Sequence, residues 1–191
     1  MLVTTNGGSE WKQAKKLTDF ALTGVTFTSE KKATAVGYRG TILQTEDGGE
    51  SWVVRDSLIT TDLYTVFFTD DMHGWAAGDS GVVLTTGDGG NIWLPVNVRT
   101  GPRLATLYFS DESIGWAAGA EGLVVRTEDG GLSWQRLTEG GRDDLANIFF
   151  IDNSHGWAVG AREGGPAVRA VRRLGKLHCA RRACIGAPLD Q

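Results

Sequence analysis

Four tryptophans, Trp11, Trp52, Trp93 and Trp134, stand 41 residues apart. The same step relates Phe27, Phe68, Phe109 and Phe150. It also relates Gly37, Gly78, Gly119 and Gly160, and Leu22, Leu63, Leu104 and Leu145. Asp70, Asp111 and Asp152 form a further column, and no insertion or deletion breaks the register. A strict period of this length means one supersecondary unit repeated along the chain. Such a unit cannot cover its own apolar faces and must bury them against its neighbours.

Each copy reads as four short strands. The first is Leu63-Tyr64-Thr65-Val66-Phe67-Phe68, matched by 104–109 and 145–150 and apolar on both faces, as a strand buried on both sides should be. The second is His73-Gly74-Trp75-Ala76-Ala77-Gly78, matched by 114–119 and 155–160, where small residues permit close approach of adjacent sheets. The third is Val82-Val83-Leu84-Thr85-Thr86, and the fourth begins near Trp93. Glycine supplies 27 of the 191 residues, enough for a tight turn at the end of each short strand. The expected fold is all-β: a β-propeller of four-stranded antiparallel blades, partial, with about four repeats.

The turn between strands three and four carries the sharpest motif. It reads Thr45-x-Asp47-x-Gly49-x-x-Trp52, then Thr86-x-Asp88-x-Gly90-x-x-Trp93, then Thr127-x-Asp129-x-Gly131-x-x-Trp134. The first copy, Thr4-x-Asn6-x-Gly8-x-x-Trp11, has Asn for Asp. An Asx side chain accepts backbone N–H groups within its own turn, and glycine supplies positive φ. The indole then covers the hairpin. These residue types at this spacing are expected to do structural work.

These turns resemble the Asp box, or bacterial neuraminidase repeat. The longer pattern, Gly-Trp-Ala-Ala/Val-Gly followed by Gly-x-Val-x-x-Thr-x-Asp-Gly-Gly-x-x-Trp, is similar to that of the photosystem II stability/assembly factor family. The resemblance covers about residues 1–160. It implies a larger propeller, usually seven-bladed, that binds protein partners without catalysis, photosystem subunits among them if the host is photosynthetic. It also implies placement in the periplasm or thylakoid lumen; this chain shows no signal peptide, so that placement belongs to a longer parent.

In register, the chain divides into a half blade 1–18, blades at about 19–61, 62–102 and 103–143, and a half blade 144–160. The halves could combine to close a four-bladed ring. The favoured alternative is an open arc of a longer ring, with exposed sheet edges that self-associate. After residue 160 the pattern stops: Glu163 and Gly175 stand where a glycine and a box tryptophan are due, and 161–191 contain no aromatic residue other than His178. This tail carries seven basic residues against Glu163 and Asp190, whereas 1–160 carry 12 basic against 21 acidic. An acidic body argues against nucleic acid. The tail reads as disordered or frame-shifted, the alternative being a basic arm for acidic partners. No apolar run is long enough to span a membrane.

Chemistry beyond the scaffold finds little support in the sequence. One carboxylate per Asp box falls short of a calcium shell. His73 and His155 share one repeat position with Ile114 and read as turn residues, and His178, Cys179 and Cys184 make a poor zinc set. No metal or cofactor is expected. The rival reading is a sialidase-like glycoside hydrolase or a carbohydrate-binding module, and a third is a fragment with no independent function. A sialidase needs clustered arginines, a Tyr nucleophile with its Glu, and an acid Asp. Here Arg39, Arg55 and Arg99 are scattered, Tyr38, Tyr64 and Tyr108 lie in or beside strands, and no Phe/Tyr-Arg-Ile-Pro start motif occurs. Loop positions that vary between copies are the expected recognition residues: Tyr38 and Arg39, Asp79 and Ser80, Ala120 and Glu121, and the interblade loops ending at Arg103 and Arg142. Of these, Arg39, Arg103 and Arg142 are the candidate partner contacts.

Overall fold

The computed structural model describes residues 1–15, 17–96, 101–137, 143–162 and 172–174. Three complete four-stranded antiparallel sheets follow one another. The first is β3–β6 (Leu22–Phe27, Ala33–Gly37, Ile42–Thr45, Val53–Arg55), and the second is β7–β10 (Leu63–Phe68, Gly74–Gly78, Val83–Thr86, Leu94–Val96). The third is β11–β14 (Leu104–Phe109, Gly115–Gly119, Val124–Thr127, Gln135–Arg136). A two-stranded sheet, β1 (Leu2–Val3) with β2 (Lys12–Gln13), precedes them. After them come β15 (Asp143–Asp152) and β16 (His155–Arg162). Arg172–Leu174, within the basic tail, form β17 and pair with β16; the remainder of 163–191 lies outside the described residues.

Inner strands pack blade to blade, β3 on β7, β7 on β11 and β11 on β15. Three apolar clusters of the described residues therefore lie between blades, while a fourth, Ala33, Ala35, Leu43 and Trp52, lies on the first complete blade with Leu17 and Leu22 against it. Val36 and Ile42 of the first complete blade join Leu63, Val66, Leu84 and Trp93 of the second. Trp75 and Val83 join Leu104, Leu107 and Phe109, and Trp116 and Val124 join Leu145, Ile148 and Phe150. At the centre of two of these joints lies an aromatic stack. Trp75 lies on Phe109 with centroids 3.7 Å apart, and Trp116 lies on Phe150 at 3.8 Å. In the first joint Thr34 holds the tryptophan position, and buried Gln44 donates to the Gly89 carbonyl much as Trp75 Nε1 donates to that of Gly130.

The Gly37 column is set by sterics. A Cβ at Gly78 would come within 1.9 Å of the Asp62 carbonyl oxygen, and one at Gly119 equally close to that of Arg103. That approach comes from a β-bulge early in every inner strand, between Leu22 and Gly24, Leu63 and Thr65, Leu104 and Thr106, and Leu145 and Asn147. A bulge bends the strand and re-aims the extra side chain.

In each Asp box the threonine hydroxyl accepts from the second glycine, at 3.0 Å in Gly49, 2.9 Å in Gly90 and 2.8 Å in Gly131. The Asp carboxylate accepts the backbone N–H of Ser51, Ile92 or Ser133, and Asn6 takes that of Glu10 with its single amide oxygen. The indole N–H of Trp52, Trp93 and Trp134 returns to the carbonyl of that second glycine at 3.0–3.1 Å. Gly49, Gly90 and Gly131 have φ of 95°, 89° and 87°, which a side chain would strain. The three indoles thus sit in like environments, while Trp11, with no complete blade around it, is 58% exposed.

Trp93→Ala is expected to cost about 3–5 kcal/mol by urea unfolding, the range for emptying an aromatic core site. Trp11→Ala should stay within about 0.5 kcal/mol.

Candidate functional site

The hairpins divide between two faces. Strand 1–2 turns meet the Asp boxes on one face, where Gly48, Gly89 and Gly130 donate to Lys31, Met72 and Ser113 carbonyls. On the other face, the 3₁₀ turns Tyr38–Gly40, Asp79–Gly81 and Ala120–Gly122 lie beside the connections between blades.

The Asp-box face is acidic, and its box carboxylates are satisfied within their own turns, whereas the Thr28 and Thr69 hydroxyls of the strand 1–2 turns are buried without a partner among the described residues. Asp47 is held well below the ordinary carboxylate range, first by the Ser51 hydroxyl and then by the Ser51 N–H and the Thr45 hydroxyl. Ser133 lowers Asp129 in the same way, and the Ile92 N–H leads in lowering Asp88. The strand 1–2 turns repeat the device. Asp70 falls to about 2 because the His73 ring and backbone N–H both bond to it, and His73 rises in return. Asp111 and Asp152 are lowered chiefly by the backbone N–H groups of Ile114 and Ser154. Among the described residues, no three His, Cys, Asp or Glu side chains gather as a metal shell would need.

The opposite face joins side chains from successive blades. The middle residue of each 3₁₀ turn lies in the left-handed region without being glycine: Arg39 at φ 55°, Ser80 at 56° and Glu121 at 57°. Two of the three are held by the next blade, where the Asp62 carboxylate accepts the Arg39 N–H at 2.8 Å and Asp144 accepts that of Glu121 at 3.0 Å. At the intervening position the repeat places Arg103, which cannot accept; its guanidinium reaches forward to Asp144 at 3.2 Å. It also lies 5.6 Å from the centre of the Tyr64 ring. Tyr64 is the extra residue of the β7 bulge, which aims its ring at this face. Its ring meets Tyr38 edge-on at 6.3 Å, and its hydroxyl donates to Asp79 at 3.1 Å. Burial, then the bond to Asp79, raises the Tyr64 hydroxyl above its ordinary range. Arg39 lies over Phe20 at 5.6 Å.

The result is an aromatic and arginine strip, Phe20–Arg39 beside Tyr38–Tyr64–Arg103–Asp144, exposed but for half-buried Tyr64 and Asp144 and running across the three complete blades to β15. Arg39 and Arg103 both lie on it; Arg142 lies outside the described residues. Phe20, Tyr64, Asp62 and Asp144 take part beside them without being singled out by the repeat pattern. A one-residue alignment could have found Tyr64, since Thr23, Ala105 and Ala146 hold the bulge position in the other copies.

A family model described as photosynthesis system II assembly factor YCF48 matches residues 3–93 and 57–142. The chain belongs to the YCF48 photosystem II assembly-factor family. No curated protein gives a significant match. Among solved structures, YCF48 bound to a D1 peptide is 21% identical with a TM-score of 0.64, over 80% of this chain and 53% of that one. YCF48 from Cyanidioschyzon merolae is 22% identical with a TM-score of 0.66, over 84% of this chain and 60% of that one. An ancestral GH74 enzyme is 19% identical with a TM-score of 0.69, over 83% of this chain and 24% of that one. At these identities the likeness is one of fold: the YCF48-family chain is part of a propeller, spanning 53–60% of those two YCF48 structures, and the same fold also serves enzymes.

Two titrations probe this geometry. Carboxylates with lowered folded pKa stabilise fully above their unfolded value of about 4, and that contribution is lost as pH falls through the folded values. The thermal midpoint should therefore fall steeply below about pH 4, and D47N/D88N/D129N should flatten that fall at a lower plateau. Asp79→Asn should move the Tyr64 hydroxyl pKa down toward the ordinary value while leaving it raised by burial, as followed by NMR of the ring.

Proposed function

We propose that this chain is a non-enzymatic binding scaffold of the photosystem II assembly-factor type, which holds an extended protein segment on the face opposite the Asp boxes. The observation that carries the reading is the strip of Tyr38, Tyr64, Arg39 and Arg103 on three rigid blades. Tyrosine and arginine are the side chains that most often anchor protein contacts, offering large rigid area and multiple donors at modest entropic cost. Arg103 is half satisfied by Asp144, which holds the guanidinium in place with donors to spare for a carboxylate or main-chain carbonyls. The solved YCF48 with a D1 peptide supports a protein ligand for the family.

A glycoside hydrolase reading, sialidase-like or of the GH74 kind, fits the carboxylates less well. Such an enzyme needs an acid with a raised pKa. The carboxylates displaced here are displaced downward, and on the strip Asp62, Asp79 and Asp144 are engaged by Arg39, Tyr64 and Glu121 with Arg103.

Calorimetric titration with synthetic D1 peptides and scrambled controls tests the scaffold reading. Tyr64→Ala or Arg103→Ala should weaken binding at least about 10-fold, the scale of a hot-spot residue. Phe149→Ala, five residues along β15 from Asp144, should not. Peptide binding that ignores both strip substitutions, or turnover of fluorogenic sialosides or glucosides, rejects it.

A further inference from the structure

Two surfaces of this chain are the matching halves of a joint that it already builds between its own blades. In the formed joints, the phenylalanine of an inner strand packs against the second-strand tryptophan of the preceding blade: Phe109 on Trp75, Phe150 on Trp116. Both phenylalanines are buried, at 3% and 4% exposure. Phe27, in the same column on β3, is 57% exposed, and Val25 on the same strand is equally so. At the other end Trp157, in the column of Trp75 and Trp116, stacks on no ring among the described residues and is only half buried. Phe149 follows Phe67 and Tyr108, which both pack forward onto the next inner strand, and it stands 55% exposed.

The backbone shows the same complementarity. The sheet β1–β2 occupies strand positions three and four of a blade, as its register with the Thr4–Trp11 box requires. It already sits in blade position, because Val3 lies against Gly49 as Gln44 lies against Gly90. Beside it opens a cavity of about 800 Å³ lined by Leu17, Phe20, Leu22, Val25, Ala35 and Leu43. That is where inner strands one and two would lie. The hairpin β15–β16 is such a pair of inner strands.

We propose that the β15–β16 hairpin of one copy of this chain docks into that cavity of a second copy, completing a blade with its β1–β2. Trp157 then stacks on the second copy's Phe27, and its indole N–H reaches the Gly48 carbonyl, the acceptor set by the step from Trp75 to Gly130. By the register of Trp116 with Arg126 and Ala117 with Val125, Trp157 pairs with Val3 and Ala158 with Leu2. β17 now holds that edge of β16 through Arg172 and Arg173, so it yields to β1 of the second copy. The contact joins two different surfaces, so it propagates head to tail. Two such joints close a two-copy ring of eight blades, inside the four-to-eight range of propellers.

Sedimentation analysis of the 191-residue chain over a wide concentration range tests this. The expected result is a species of twice the chain mass. Phe27→Glu and Trp157→Ala, each checked for retained β circular dichroism, should each raise the dissociation constant at least about 10-fold. Mixing the two variants should restore association in part, because the Phe27 of one and the Trp157 of the other form one intact joint while the second joint carries both substitutions. Arg173→Pro, which weakens β17 pairing, should leave association equal or tighter. A monomer at every concentration, association indifferent to both substitutions, no restoration on mixing, or weakening by Arg173→Pro each overturns the assignment.

Discussion

The structure depends on blades sharing their cores. No single sheet here can bury its own side chains: Trp75 needs Phe109, Trp116 needs Phe150, and Val36 and Ile42 need Leu63 and Trp93. Stability is therefore approximately a sum of neighbour terms, each supplied by a joint about 10 Å thick. The tight spacing explains why the second strand is built from glycine and alanine around one tryptophan. A larger residue at Ala76 or Ala117 would force adjacent sheets apart and open the stacks.

The Asp box holds the outer edge of each blade by a different force. Its threonine, aspartate and indole N–H close a local hydrogen-bond circuit over the glycines with positive φ, so the hairpin is stapled without reference to other blades. That circuit uses up the carboxylates, which lie below their ordinary titration range because they accept two or more donors each. A carboxylate so engaged serves poorly as a proton donor. The box carboxylates are thus engaged within their own turns, and the variable chemistry sits on the other face. There the 3₁₀ turns carry Arg39, Ser80 and Glu121 in a strained conformation that two interblade carboxylates help to hold.

The fold and the family were legible in the sequence because a 41-residue step leaves every structural role at a fixed position. Within the boxes Thr accepts the second glycine N–H, Asp accepts a backbone N–H four residues on, and the indole N–H returns to the glycine carbonyl. The strip on the opposite face was only partly legible. Arg39 and Arg103 stand out as breaks in the repeat, but Tyr64 reads as one more apolar residue in a strand apolar on both faces. Only the bulge, which removes one residue from the ladder, turns its ring outward to Arg103 and Tyr38.

The sequence by itself determined the unit: four short strands, their turns, the hairpin lock and the requirement for neighbours, since these follow from local residue types and period. The tertiary structure decided which unlike residues meet across a joint. Asp62 holding the Arg39 turn, Arg103 reaching Asp144 in place of accepting, and Gln44 standing in for a tryptophan are contacts between different copies. A repeat pattern describes what copies have in common, and such contacts arise where the copies differ and the radial stacking of blades brings those differences within bonding distance.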